Sequence, residues 1–161
     1  MKNKLVSIAA LIALIFLIGC GNNNEKKEEG GAAPPSMIAD APKDDGQGIG
    51  RFKNVALTAM DEKIAAQGKV VFDAKCAACH KTTEQKVVGP GLKGVTTRRQ
   101  AAWILNMITN PVEMTQKDPT AKDLLAEHLT QMTFQDVTDE QARQILEYFR
   151  TNDSGAPQAS K

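Results

Sequence analysis

The sequence predicts an all-α fold, and three observations carry that expectation. Apolar residues recur at spacings of three and four in several separate stretches between positions 64 and 149. Helix-start signals stand in front of three of those stretches. No stretch shows the strict alternation of a half-buried strand, and there is no internal repeat.

The first element is not part of the fold. Lys2 and Lys4 form a positive start, and Leu5 to Ile18 is apolar except for Ser7. These 14 residues fall short of the ~20 that span a bilayer, so residues 1–19 read as a signal peptide. Leu17-Ile18-Gly19-Cys20 resembles the bacterial lipobox. That resemblance implies that Cys20 becomes the mature N-terminus and carries a lipid. A third cysteine in an exported chain otherwise needs a partner. Residues 20–50 hold an asparagine run, the charge run Glu25-Lys26-Lys27-Glu28-Glu29, Pro34-Pro35 and several glycines. They have few large apolar side chains, so burial cannot offset the entropy of ordering them. This segment is expected to be a disordered tether, with Gly48-Ile49-Gly50-Arg51-Phe52 the first stretch that can dock on the domain. Residues 51–153 suit one small domain, and 154–161 read as a disordered tail.

Within the domain, Ile64, Gly68, Val71, Phe72 and Lys75 share helical spacing. A glycine inside a helix costs about 1 kcal/mol against alanine, so Gly68 implies close packing against another helix. Thr97-Arg98-Arg99-Gln100 reads as a capping box opening a helix with Trp103, Ile104, Met107 and Ile108, which Pro111 ends. Asp118-Pro119 reads as an N-cap and first-turn proline before Leu124, Leu125 and His128. Thr138-Asp139-Glu140-Gln141 is a second capping box, opening a helix with Ala142, Ile145, Leu146 and Phe149 on one face.

The first helix runs into Cys76-Ala77-Ala78-Cys79-His80, a C-x-x-C-H motif. This is the attachment pattern of a c-type haem. Each thiol can add across a haem vinyl group, and the two-residue spacer matches the vinyl separation. His80 follows at once and can supply the proximal iron ligand. A thioredoxin-like pair would need a βαβ context. A structural zinc site would need about four ligands, and only His128 and Cys20 are spare. One covalent haem c is therefore expected on Cys76 and Cys79.

From about Asp61 to Arg150 the chain resembles a class I cytochrome c domain. The motif, the Gly68 helix, Gly89-Pro90, Trp103, Met132 and the last helix stand in the family order. The resemblance implies helices wrapped around the haem, with the first and last crossing, and Gly68 meeting Tyr148 or Phe149. It implies that the Pro90 carbonyl accepts the free N–H of His80, and that Trp103 packs near a haem propionate. It also implies a methionine sixth ligand before the last helix. Met132 stands there, 52 residues after His80, although Thr133 replaces the proline that often follows. Met107, Met114 and His128 are rivals.

Two function classes follow. With both axial positions filled, the domain is a one-electron carrier, not an enzyme. The alternative is a haem enzyme or gas sensor with an open or displaceable sixth position. A single C-x-x-C-H excludes a di-haem peroxidase, and its early place in the domain argues against the four-helix five-coordinate class. Setting aside Lys2 and Lys4 leaves 18 basic residues against 19 acidic, so net charge is uninformative and no nucleic-acid partner is expected. Lys81, Lys86, Lys93, Arg98 and Arg99 face only Glu84 in their stretch, which reads equally as a solvated face or a docking patch. Haem attachment outside the inner membrane, in the family resembled, fits export. The expectation is a lipid-anchored protein outside the cytoplasm, periplasmic by that resemblance. Its partner is a redox protein, with a terminal reductase such as nitrous oxide reductase suggested by similarity to lipid-anchored cytochromes.

Overall fold

The computed structural model describes residues 45–155, and among them six helices and no strand. The signal peptide, Cys20, most of the tether and positions 156–161 lie outside the described residues.

α1 (Glu62–Lys75) starts where Asp61 accepts hydrogen bonds from the Lys63 and Ile64 backbone N–H groups, at 2.8 and 3.2 Å. It packs mainly on α6 (Asp139–Asp153). The Thr138 capping box forms as the sequence predicts: Thr138 Oγ1 accepts from the Gln141 N–H, and Gln141 Oε1 from the Thr138 N–H. Ala142, Ile145, Leu146 and Phe149 are all buried on one side of α6.

The α1–α6 contact differs in detail from the expectation for Gly68. A Cβ at position 68 would lie 1.9 Å from the Gln144 carbonyl oxygen. Gly68 therefore meets the backbone of α6, and Phe72, one turn on, meets the aromatics. Its ring lies 5.5 Å from Tyr148 and 5.7 Å from Phe149, the second edge-on. Such pairs add about 0.5–1.5 kcal/mol each beyond burial. The buried Glu147 joins the helices again, accepting from the Asp61 N–H at 2.7 Å and pairing with Arg150.

The middle of the chain departs most from the sequence reading. Thr97 does not cap the Trp103 helix. It lies inside a short helix, α2 (Val95–Arg98), whose N-cap is Gly94. The Asp153 carboxylate, at the end of α6, accepts from the Gly94 N–H, the Thr96 N–H and the Thr96 hydroxyl. That distant carboxylate fixes the turn and draws Thr96 and Thr97 into it. α3 (Ala101–Thr109) then starts behind Gln100, whose side-chain amide bonds the Asp45 carbonyl. Pro111 ends α3, and it is also the first residue of α4 (Pro111–Lys117). α5 (Pro119–His128) starts behind Asp118 as predicted.

Residues 45–50, assigned by composition to the end of the tether, pack on α3 and α4. The Asn106 side chain, fully buried, clasps this segment. Its Nδ2 donates to the Gln47 and Phe52 carbonyls, and its Oδ1 accepts from the Phe52 N–H. A buried amide satisfied three ways costs little to bury and fixes the chain's path.

Candidate functional site

α1 delivers the cysteines directly. Cys76 is its C-cap, with its N–H bonded to the Phe72 carbonyl at 2.8 Å. The chain continues in a tight turn in which the Cys79 and His80 N–H groups both donate to the Cys76 carbonyl. Both thiols are free, Cys76 half-buried and Cys79 exposed. Burial pushes the Cys76 thiol up to about 11. A reactive redox cysteine needs the opposite shift, so the thioredoxin-like reading loses its chemistry. Among the described residues no group of three His, Cys, Asp or Glu side chains stands together to bind a metal ion.

His80 is held from two sides. Its Nδ1 lies 3.0 Å from the Pro90 carbonyl, to which the ring N–H donates. This leaves Nε2 as the lone-pair nitrogen. Gly89 lies flat against the ring: a Cβ there would sit 2.3 Å from Cε1, so any larger residue would displace the imidazole. Burial lowers the pKa of His80, the Pro90 bond opposes that shift, and His128 adds to it. The ring is thus kept neutral, the state a metal ligand requires.

Cys76, Cys79, His80, Pro90, Trp103 and Met132, all picked out in the sequence, border one cavity of about 300 Å³. Trp103 reaches it in a particular way. Its indole N–H donates to Asp118 Oδ1 at 3.0 Å, and the same oxygen caps α5. Its part in the cavity is therefore ring packing. Met107 and His128 also reach the cavity wall. Met114 does not: it is fully buried, with its sulfur accepting the Ile49 N–H. The docked segment thus removes Met114 from among the rival ligands. The Asn106 clasp, the Trp103–Asp118 bond, the Asp153 cap and the burial of His128 were not foreseen, because each depends on residues brought together only by folding.

Comparison with known proteins accords with this geometry. The sequence matches the cytochrome c family over residues 65–153. The chain belongs to the cytochrome c family. The structure of cytochrome c from Rhodothermus marinus is similar, with 40% identity and a TM-score of 0.63, covering 66% of this chain and 91% of that one. An engineered variant of that cytochrome bound to a carbene intermediate gives 38% identity and a TM-score of 0.60, covering 65% and 91%. A cytochrome c-553-like protein of Synechocystis sp. (strain ATCC 27184 / PCC 6803 / Kazusa) is 31% identical over 62 residues. That match covers 37% of this chain and 59% of the relative, so the chain spans less than two thirds of that protein's length.

Cytochromes c hold haem covalently, and Cys76 and Cys79 lie in the haem-binding region of this one. The residues fit the group. Two free thiols and an oriented neutral imidazole share the cavity, and His128 borders it as well.

Proposed function

We propose that this cytochrome c domain is a one-electron carrier with His80 and Met132 as axial ligands. The observation that carries the reading is that both side chains border the cavity that Cys76 and Cys79 also border. When bound, the haem supplies an Fe(III)/Fe(II) couple, whose potential is raised by methionine–histidine ligation. His80 contributes an imidazole fixed by Pro90, and Met132 a soft donor from the loop between α5 and α6. With both positions filled, turnover of a substrate at iron is disfavoured, so the domain is not an enzyme. The engineered relative bound to a carbene intermediate motivates the second reading, an enzyme or sensor whose sixth ligand leaves.

The face beside the motif suits a redox-protein partner. Val87 and Val88, 42% and 43% exposed, stand among Lys81, Lys86 and Lys93. Lys93 is partly neutralised by Glu84 at 2.9 Å, and Arg99 stacks over the Trp103 ring. Such charge sets encounter rate more than affinity. The reading extends to delivery. Residues 1–19 export the chain, Cys20 carries the lipid, and the domain works in the periplasm. A terminal reductase such as nitrous oxide reductase is the partner class proposed.

The test is spectroscopic. Haem should stay on the chain in acidified acetone. Met132→Ala should abolish the sulfur-to-iron charge-transfer band and lower the midpoint potential. An unchanged spectrum removes Met132 as ligand. Peroxide turnover or stoichiometric gas binding by the native domain favours the second reading.

A further inference from the structure

His128 is a buried group that the carrier reading leaves unused. It is the last residue of α5, and its side chain is only 8% exposed. It lines the same cavity as His80 and Met132. Its Nδ1 is buried without a hydrogen-bond partner. The Glu127 carboxylate lies 3.8 Å from Nε2, too far for a hydrogen bond. Leaving a buried polar atom unpaired is costly, and each instance calls for a physical reason. Nδ1 is enclosed by protein, whereas Nε2 makes no hydrogen bond and is not enclosed, so Nε2 is the nitrogen left to whatever fills the cavity that His128 borders.

The chain beside His128 is built loosely. α5 ends at Leu129, a left-handed residue with φ of +53° that is 86% exposed. Residues 130–138 contain no helix or strand, and Met132 lies among them, four residues beyond His128. Thr133 and Phe134, which follow it, are both exposed. The thioether of Met132 is a soft donor, whereas imidazole is a harder one better suited to the oxidised metal.

We propose that His128 is a second donor for the sixth position of the haem iron, taking that position when Met132 is withdrawn. The cavity then holds a ligand-exchange site, with sulfur and nitrogen donors four residues apart. The exchange is not itself a redox step. The iron–sulfur bond breaks and an iron–nitrogen bond forms. The imidazole uses the lone pair of one ring nitrogen and keeps its proton on the other. The inference rests on the carrier reading and on Met132 as the resting ligand.

The experiment uses the mature holoprotein, oxidised, as wild type, Met132→Ala and Met132→Ala/His128→Gln. Visible absorption and low-temperature electron paramagnetic resonance read spin state and ligand type. Met132→Ala should be low-spin with two nitrogen ligands, and the double variant should lose that signal and become high-spin. Added imidazole sharpens the comparison. A tethered donor competes as if present at about millimolar concentration or above, so Met132→Ala should resist imidazole until that range. The double variant should bind it at concentrations at least about tenfold lower. If His128→Gln lowers haem content, His128→Phe keeps the ring volume and supports the same comparison. A high-spin Met132→Ala protein overturns the proposal, as does a low-spin signal that survives loss of His128. A Met132→Ala spectrum identical to wild type is a separate failure, since it removes the resting ligand and the exchange with it.

Discussion

His80 and Met132 reach one cavity from chain segments of opposite character. His80 sits in a turn closed by hydrogen bonds to the Cys76 carbonyl, with Pro90 on its Nδ1 and Gly89 against its ring. The turn is the direct continuation of α1, which α6 grips. Met132 sits in a segment without regular structure. The segment is held by the Thr115 hydroxyl against the Gln131 side chain, and by the Lys75 ammonium on the Gln135 and Asp136 carbonyls. The difference teaches where the fold concentrates rigidity. One donor is locked by backbone geometry over-determined by many contacts, while the other depends on a loop with few. With the proposed axial ligands, reorganisation around the iron is therefore expected on the Met132 side.

Breaking the rigid side should have the largest effects. Cys76→Ser with Cys79→Ser should abolish covalent haem altogether, measured as haem retained on the denatured chain. Gly68→Ala comes next. Its methyl group would collide with the Gln144 carbonyl, a backbone atom that cannot turn aside. Overpacking of this kind costs about 1–3 kcal/mol or more, against a helix gain of about 1 kcal/mol. Denaturant unfolding of the holoprotein should show net destabilisation, and a neutral result would mean that the two helices can separate cheaply.

Changes on the loose side should be smaller, and one should be favourable. Leu129→Gly removes a left-handed leucine that buries almost nothing. It should stabilise the protein by about 0.5–1 kcal/mol, because glycine adopts that conformation without strain at some entropic cost. If thermal unfolding shows a loss instead, the loop is held more firmly than its contacts imply. The smallest stability effect belongs to Lys86→Glu with Lys93→Glu. The Lys93–Glu84 pair is exposed on both sides and screened by water, so its loss changes stability little. Stopped-flow transfer to an acidic partner should nevertheless slow, most at low salt. Rates indifferent to both salt and charge reversal would remove the docking patch and leave the carrier reading intact.

Much of the site was legible because its signals are local. C-x-x-C-H, Gly89-Pro90, the Asp118 cap and the Thr138 capping box are spacings of a few residues, and each appears where the sequence places it. The Thr97 capping box failed for a physical reason of the opposite kind. The same residues form a short turn stabilised by Asp153, more than fifty positions away. Composition placed residues 45–50 in the tether, with docking expected from Gly48, and the structure extends the docked stretch back to Asp45. Asn106 and Met114 supply the partners that hold them.

The sequence by itself determined the helical class, the covalent anchors and the candidate axial ligands, His80 and Met132, because those follow from short-range spacing and the chemistry of side chains. Tertiary structure alone decided how they are used. It set Gly68 against the α6 backbone, engaged Met114 with the Ile49 N–H, and spent the Trp103 N–H on Asp118. It also buried His128 in the cavity wall with an unpartnered nitrogen. These outcomes depend on which distant groups arrive to satisfy or crowd a side chain, and no local pattern encodes that arrival.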